Sequence, residues 1–178
     1  EVHEVAVGPV HAGIIEPGHF RFQCYGENVL HLEIALGYQH RGLEDMFAAG
    51  PAHGPAHAPA SRRLRLLECA AGDSSVAHAT AHCVLWERLT GLDVSERAQL
   101  LRRVELELER LANHCGDLGA IAGDTGFLPT SSWNGRIRGD FLNMTAGLCG
   151  NRFGRGLLRY GGTVHDLSPA DCQDLTTR

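Results

Sequence analysis

The chain lacks several features that would each settle its class. No run approaches the ~20 consecutive apolar residues that a membrane-spanning helix needs. Positive charge is not in surplus: 16 Lys+Arg stand against 21 Asp+Glu, for a formal net charge of -5. That excludes a broad nucleic-acid surface while leaving room for a local basic patch. Aromatic residues make up only 6%, too few for an aromatic-lined pocket. The six cysteines, at 24, 69, 83, 115, 149 and 172, form no Cys-x-x-Cys pair. A chain of 178 residues needs no disulfide framework, and no signal peptide is seen. Reduced, mostly buried thiols in a cytoplasmic protein are therefore expected. No Gly-Lys-Ser/Thr occurs and no strand leads into a GxGxxG, which removes both familiar nucleotide-binding loops.

What is present is globular: 43% hydrophobic and 21% charged residues, with length for one core. The 22 glycines suggest closely approaching backbones and tight loops. The chain begins with Glu rather than Met and ends without a packed-looking element, so a piece of a longer protein is expected. We expect a single domain over 1–178, mainly α with some β (α+β). A β-hairpin subregion lies at 1–36, and a helical region at 61–178 forms a bundle around one long helix.

The hairpin rests on alternation. Phe20, Phe22 and Cys24 alternate with Arg21 and Gln23; after Gly26-Glu27-Asn28, Leu30, Leu32 and Ile34 alternate with Val29, His31 and Glu33. Residues 5–7 read as a strand stub. A short helix is expected at 43–49. The proline- and glycine-rich stretch 50–60 forbids a regular helix and reads as a surface loop, although its His53 and His57 invite a metal-binding reading.

Ser61 can cap a helix ending near Gly72, and Asp73-Ser74-Ser75 can cap another over 75–89. Ser95 can open the longest helix, 95–120, on which Leu100, Leu101, Val104, Leu108 and Leu111 recur at threes and fours. Leu108 and Leu111 are both expected in the core. A helix at 137–148 opened by Ser132 or Asn134, a short helix around 153–158 and one after Ser168-Pro169 complete the expectation.

The chemistry-bearing residues each admit two readings. His78 and His82 stand four apart on one helix face, and zinc would need further ligands such as His114 or Cys115; a buried, hydrogen-bonded histidine between packed helices is expected instead. Glu16 lies in a locally apolar run near His11 and His19, and is either a partly buried proton-relaying carboxylate or a surface turn residue. Arg152, Arg155 and Arg159 could hold an anion or pair within the molecule.

Several strings, in order, resemble one family. They are Val7-Gly8-Pro9-Val10-His11, Glu16-Pro17-Gly18-His19-Phe20 and Leu36-Gly37-Tyr38-Gln39-His40-Arg41-Gly42-Leu43-Glu44. Gly72-Asp73-Ser74-Ser75-Val76-Ala77-His78, Glu96-Arg97-Ala98-Gln99 with Glu109-Arg110-Leu111-Ala112-Asn113-His114, and the stretch from Arg152 to Gly162 follow. The set resembles the large subunit of nickel–iron hydrogenases in the energy-converting branch, which includes formate hydrogenlyase and the 49-kilodalton subunit of complex I (NADH dehydrogenase). The resemblance implies a hydrogenase large-subunit-like fold and an oxidoreductase setting. NAD binding is expected with the complex I branch.

The departures carry as much. The family's first metal-holding Cys-x-x-Cys falls on Ala71 and Ser74, while Cys69 lies two residues early, and no second pair occurs before Arg178. Serine is a poor ligand for nickel or low-spin iron, so no metal and no resident cofactor are expected in these residues. Complex I relatives use the emptied cavity for quinone, which the resemblance implies for a longer complex. It also implies His11 and Glu16 as catalytic or proton-moving residues, and His40, Arg41, Gly72, Ser74 and His78 as the remnant cavity. One cleft is expected to gather them, with Glu16 partly buried beside an Arg or His. A small iron–sulfur subunit and membrane subunits are the implied partners, with no nucleic acid, at a cytoplasmic location peripheral to the membrane. The alternative is a structural or interaction domain that keeps only the scaffold.

Overall fold

A computed structural model describes residues 1–12, 15–48 and 60–177. The histidines at 53 and 57 and most of the stretch 50–60 lie outside the described residues. Two compact units are present, Glu1–Met46 and Phe47–Arg178.

The first unit is an antiparallel sheet of β1 (Val2–Val7), β2 (His19–Tyr25) and β3 (Asn28–Ala35), in that order. The expected hairpin is β2–β3. The stub at 5–7 extends back to Val2, because pairing with β2 along its whole length supports residues whose own alternation is poor. Val5, Phe22 and Leu32 stand opposite one another, as do Val7, Phe20 and Ile34, giving one apolar face. Arg21 on the other face reaches Glu4 at 3.0 Å and Glu33 at 3.7 Å. A register shift at Gln23/Cys24 puts Val29 opposite Cys24, which corrects its expected place beside His31 and Glu33. The short helix α1 (Leu43–Ala48) closes this stretch of chain.

The second unit is helical: α2 (Ala60–Glu68), α3 (Ser75–Thr90), α4 (Glu96–Asp124), α5 (Leu128–Cys149) and α6 (Pro169–Thr177). A small antiparallel hairpin, β4 (Leu158–Arg159) with β5 (Gly162–Thr163), sits between α5 and α6. No helix is long and apolar enough to cross a membrane among the described residues. Ser61 falls inside α2 rather than at its cap, and α2 stops at Glu68, short of Gly72. Ser95 does cap α4, its hydroxyl accepting from the Ala98 amide at 3.3 Å.

Two of the expected helices need correction. The fifth helix begins at Leu128, not near 137. Pro129 sits in its first turn, where a missing N–H costs nothing. The weak helix formers Ser131, Ser132, Asn134 and Gly135 are carried by packing on α4. There, Gly116, Gly119 and Gly123 let the helices close up: a Cβ on Gly119 would stand 3.3 Å from Asn134 Cβ, and one on Gly123 3.3 Å from Ser131 Oγ. The second correction is the expected helix at 153–158, which is a turn leading into β4. Gly154 has φ +69, and a Cβ there would stand 2.3 Å from Val76 Cγ2, so the chain turns where only glycine fits.

The core holds Leu64, Val76, Ala79, Cys83, Cys149, Leu157 and Leu158. The inward face of α4 is unlike its leucine pattern. Ala98, Arg102, Glu105, Leu108 and Ala112 are buried, whereas Leu111 is 42% exposed and Leu100 and Leu118 more so. Leu108 is thus in the core as expected and Leu111 is not. The polar groups of α4 find their partners, or their cavity, on the inside.

Candidate functional site

The turn entering α3 is the part of the second unit that carries the resemblance. Ser74 occupies the N-cap position, yet its side chain makes no capping bond. The cap comes from another helix: the Glu109 carboxylate accepts from the Val76 amide at 2.7 Å and the Ala77 amide at 3.0 Å. A carboxylate at a helix N-terminus meets unpaired N–H groups and the positive end of the dipole. Burial nonetheless raises the Glu109 pKa, with the two amides and His78 opposing it and Asp73 reinforcing it. Asn113 Nδ2 donates to the Asp73 carbonyl at 2.8 Å, and Arg138 reaches the Asp73 carboxylate at 3.1 Å. The Ser75 hydroxyl donates to the Glu68 carbonyl at 2.7 Å. The turn is thereby tied to α2, α4 and α5, and the Glu-Arg-Leu-Ala-Asn-His string supplies two of its ties.

A buried ion pair holds the far end of α3. Arg102 donates from both terminal nitrogens to Glu87, at 2.7 and 2.9 Å, and also to the carbonyls of Arg159 and Gly162. Glu87 accepts the Gly161 amide at 2.8 Å. Burial alone would raise the Glu87 pKa; the Arg102 bonds, the Gly161 amide and the Arg102 charge bring it below the usual value. Beside the pair, a groove of about 570 Å³ is lined by residues that include Val84, Arg88, Leu92, Arg103 and Leu106. Sequence reading missed this pair, because carboxylate and guanidinium are fifteen residues apart on different helices.

The other candidates separate. His82 Nε2 lies 2.8 Å from the Tyr160 hydroxyl, with burial and Arg63 lowering its pKa; it is hydrogen-bonded as expected, but half-buried against the turn between β4 and β5 rather than between helices. His78 and His114 are exposed and, among the described residues, join no cluster of metal-ligating side chains. Arg152 and Arg155 stack on Phe153, with centroid distances of 4.5 and 5.7 Å, and Arg155 Nε donates to Ser75 Oγ at 3.4 Å. These two arginines are thus held within the molecule.

In the first unit, His11 Nε2 lies 2.8 Å from the Gly18 carbonyl, and its ring meets Phe20 edge-on. A Cβ on Gly8 would stand 2.7 Å from that nitrogen, so Gly8 leaves the space the imidazole fills. Glu16 is exposed, not partly buried as expected: its loop between β1 and β2 leaves it in water with its neighbour Ile15. His40 and Arg41 are exposed in the turn before α1, where the His40 amide donates to the Gly37 carbonyl at 3.0 Å. His11, Glu16, His40 and Arg41 therefore share one unit, and Gly72, Ser74 and His78 the other.

The α3 turn does not fit a nickel–iron centre. It offers Ala71 and Ser74 where thiolates would be needed, and Cys69 is exposed at the end of α2. Burial pushes the Cys83 thiol up to about 11 and raises that of Cys149, so both stay protonated and are poor ligands. No group of three or more His, Cys, Asp or Glu side chains among the described residues is placed to hold a metal ion.

No protein-family model matches the chain. It is 34% identical over 167 residues to formate hydrogenlyase subunit 5 of Escherichia coli, covering 94% of this chain and 28% of that protein. An NADH-quinone oxidoreductase component of Chloroherpeton thalassium, its D 1 subunit, is 33% identical over 153 residues, covering 86% of this chain and 33% of that protein. The fold superimposes on a chain of the membrane-bound sulfane sulfur reductase, an archaeal respiratory membrane complex, with a TM-score of 0.87 at 20% identity, covering 99% of this chain and 45% of that one. That likeness shows the fold: mainly helical around α4, with a small N-terminal sheet. The chain spans less than half the length of each of these relatives. With the ordered strings and the fold agreeing, the chain is homologous to the large subunits of the nickel–iron hydrogenase and complex I 49-kilodalton family.

Proposed function

We propose that the chain acts as a large-subunit-like component of a redox complex, in electron transfer or in quinone and proton coupling beside a small iron–sulfur subunit. The observation that carries this reading is the α3 turn: the scaffold is kept, Glu109 takes the helix amides, and Ala71 and Ser74 stand at the family's ligand positions. In this reading His11 and Glu16 serve proton movement. His40, Arg41, Gly72, Ser74 and His78 belong to the remnant of the cavity in which relatives hold metal or quinone. A relative named as part of an NADH-quinone oxidoreductase supports quinone rather than metal. Exposed Leu100, Leu118 and Ile121 of α4 and Leu128 and Trp133 of α5 support partner subunits, since apolar side chains in such number mark surfaces that other chains cover. Membrane subunits among those partners would hold the complex at the membrane periphery.

The test is affinity purification of the protein from its source in mild detergent, with identification of copurifying chains and elemental analysis. An iron–sulfur protein with membrane subunits, and nickel far below one per chain, is the expected result. Stoichiometric nickel that survives chelation would overturn the metal part. A protein that purifies without redox partners supports the second reading, a non-catalytic interaction domain, which the same exposed leucines favour.

A further inference from the structure

Glu105 is the bulkiest fully buried side chain among the described residues, 2% exposed, and neither of its carboxyl oxygens makes a hydrogen bond of good geometry there, although the Thr145 hydroxyl faces it. An acid so placed is either neutral or served by water, because an unpaired buried charge is far too costly. Two cavities of about 10 Å³, each the size of a single water, lie along its surroundings. One is lined by Glu105 together with His165 and Asp166, and the other by Thr145 and Glu109 together with Asp73. Glu109 follows Glu105 by one turn of α4, so the two carboxyl groups share a face. At the two ends of this row, Asp166 and His165 on one side and Asp73 on the other are exposed.

We propose that Glu105 is a proton carrier, the middle station of a path across the helical unit from His165 and Asp166, through Thr145 and Glu109, to Asp73. In one transfer the Glu105 O–H bond breaks and the Glu109 carboxylate gains the proton, with the Thr145 hydroxyl or a single water relaying it. Glu105 is then reprotonated through the other cavity. One proton moves; no electron and no other group does.

The groups facing Glu105 suit the role. Thr145 and Cys149 face it from α5, Glu109 from α4, and Glu68 lies beyond Cys149 on α2. Arg102, a turn before it on α4, is already taken by Glu87. Burial raises the Glu105 pKa to about 8, the Thr145 hydroxyl lowering it and the Glu109 charge adding to the rise. A group with such a value both holds and releases a proton near neutrality. This inference rests on the residues of this chain and does not need the redox reading.

The test is infrared spectroscopy of the purified chain, following the carbonyl stretch of a protonated carboxylic acid with pH and on transfer to D₂O. Its absence in Glu105→Gln assigns the band; should that variant fail to fold, the shifted band of Glu105→Asp does so. The expected result is a band that persists at neutral pH, titrates near 8 and exchanges its proton long before the core amides of α4 do. Thr145→Val should slow that exchange by about tenfold, the effect of one lost hydrogen-bonding partner, and Thr145→Ser should restore it. No acid band at neutral pH, exchange only in step with the α4 amides, or equal rates in all Thr145 variants would each overturn the proposal.

Discussion

Replacing Glu105 by Gln should change how stability depends on pH. A carboxyl moved by burial from the ordinary 4.5 to about 8 favours the folded state only while it is protonated. Its contribution is complete below the unfolded value, declines as pH rises, and is gone above the folded one. A tenfold change in proton affinity is worth about 1.4 kcal/mol, so the loss across that window is about 5 kcal/mol, with a slope of about 1.4 kcal/mol per pH unit in its middle. Gln is neutral throughout and nearly the same size. Near pH 4, below the unfolded value, the variant should lie within about 1 kcal/mol of the parent, since acid and amide are both largely uncharged there. Near pH 8.5 it should be the more stable protein by several kcal/mol. Glu68 and Glu109, also raised by burial, add in both proteins a loss of stability that sets in as pH rises above the ordinary carboxyl value. His82, lowered by burial, bends both curves downward on the acid side. Urea unfolding followed by circular dichroism at half-unit pH steps separates the one-proton difference from this shared background. Parallel curves for parent and variant would refute the reasoning, because Glu105 would then titrate alike folded and unfolded.

Three further outcomes follow from the packing. Arg102→Ala leaves Glu87 buried without its bidentate partner and should cost about 3–5 kcal/mol in unfolding experiments; Arg102→Lys should recover only part, since one ammonium cannot serve both carboxylate oxygens and two carbonyls at once. Gly154→Ala would force a Cβ into Val76, itself 1% exposed, at a left-handed φ, and should lower stability by about 1–3 kcal/mol from overpacking, with backbone strain in addition. Leu108→Ala should cost about 2–5 kcal/mol, and Leu111→Ala, on the exposed face, within about 0.5 kcal/mol of nothing.

Local chemistry made much of the fold legible. Alternation around Gly26 and Asn28 announced β2–β3, and Ser95 announced the start of α4, because each signal lies within a few residues of the structure it sets. The α3 entry was legible from Asp73-Ser74-Ser75 and from the ordered strings, although the cap itself comes from Glu109 rather than from Ser74. What stayed hidden depends on partners far along the chain. Near residue 128 Pro129 is a local sign of a helix start, but the weak helix formers after it hide the helix; what carries them is a row of glycines on α4 that admits Ser131 and Asn134. The helix expected at 153–158 does not form because Gly154 is shaped by Val76, nearly eighty residues earlier. Site residues divide the same way. His82 was legible as a packing histidine from its helical position, whereas the isolation of Glu105 has no local sign.

The largest misreading, the orientation of α4, has a physical lesson of its own. Recurrent leucines usually mark the inner face of a helix. In the structure Leu100, Leu111 and Leu118 point outward, and Arg102, Glu105 and Glu109 point in or lie half-buried. Burying three ionisable side chains on one helix is costly unless each is answered. Arg102 is answered by Glu87 and two carbonyls, and Glu109 by two helix amides, while Glu105 has just the Thr145 hydroxyl facing it and is answered chiefly by staying neutral. Apolar side chains left in water on the opposite face then call for cover of their own. A helix amphipathic in this reversed sense has two jobs: it anchors a polar network on one side and offers an apolar surface on the other. Both follow if α4 is a shared wall within an assembly. The leucine stripe then predicts where a partner binds: Leu111→Asp together with Leu118→Asp should leave the isolated chain as stable as the parent within about 1 kcal/mol, yet abolish copurification of its partner. Loss of folding in that double variant would mean that the stripe belongs to this chain's own core; unchanged copurification would place the partner on another face.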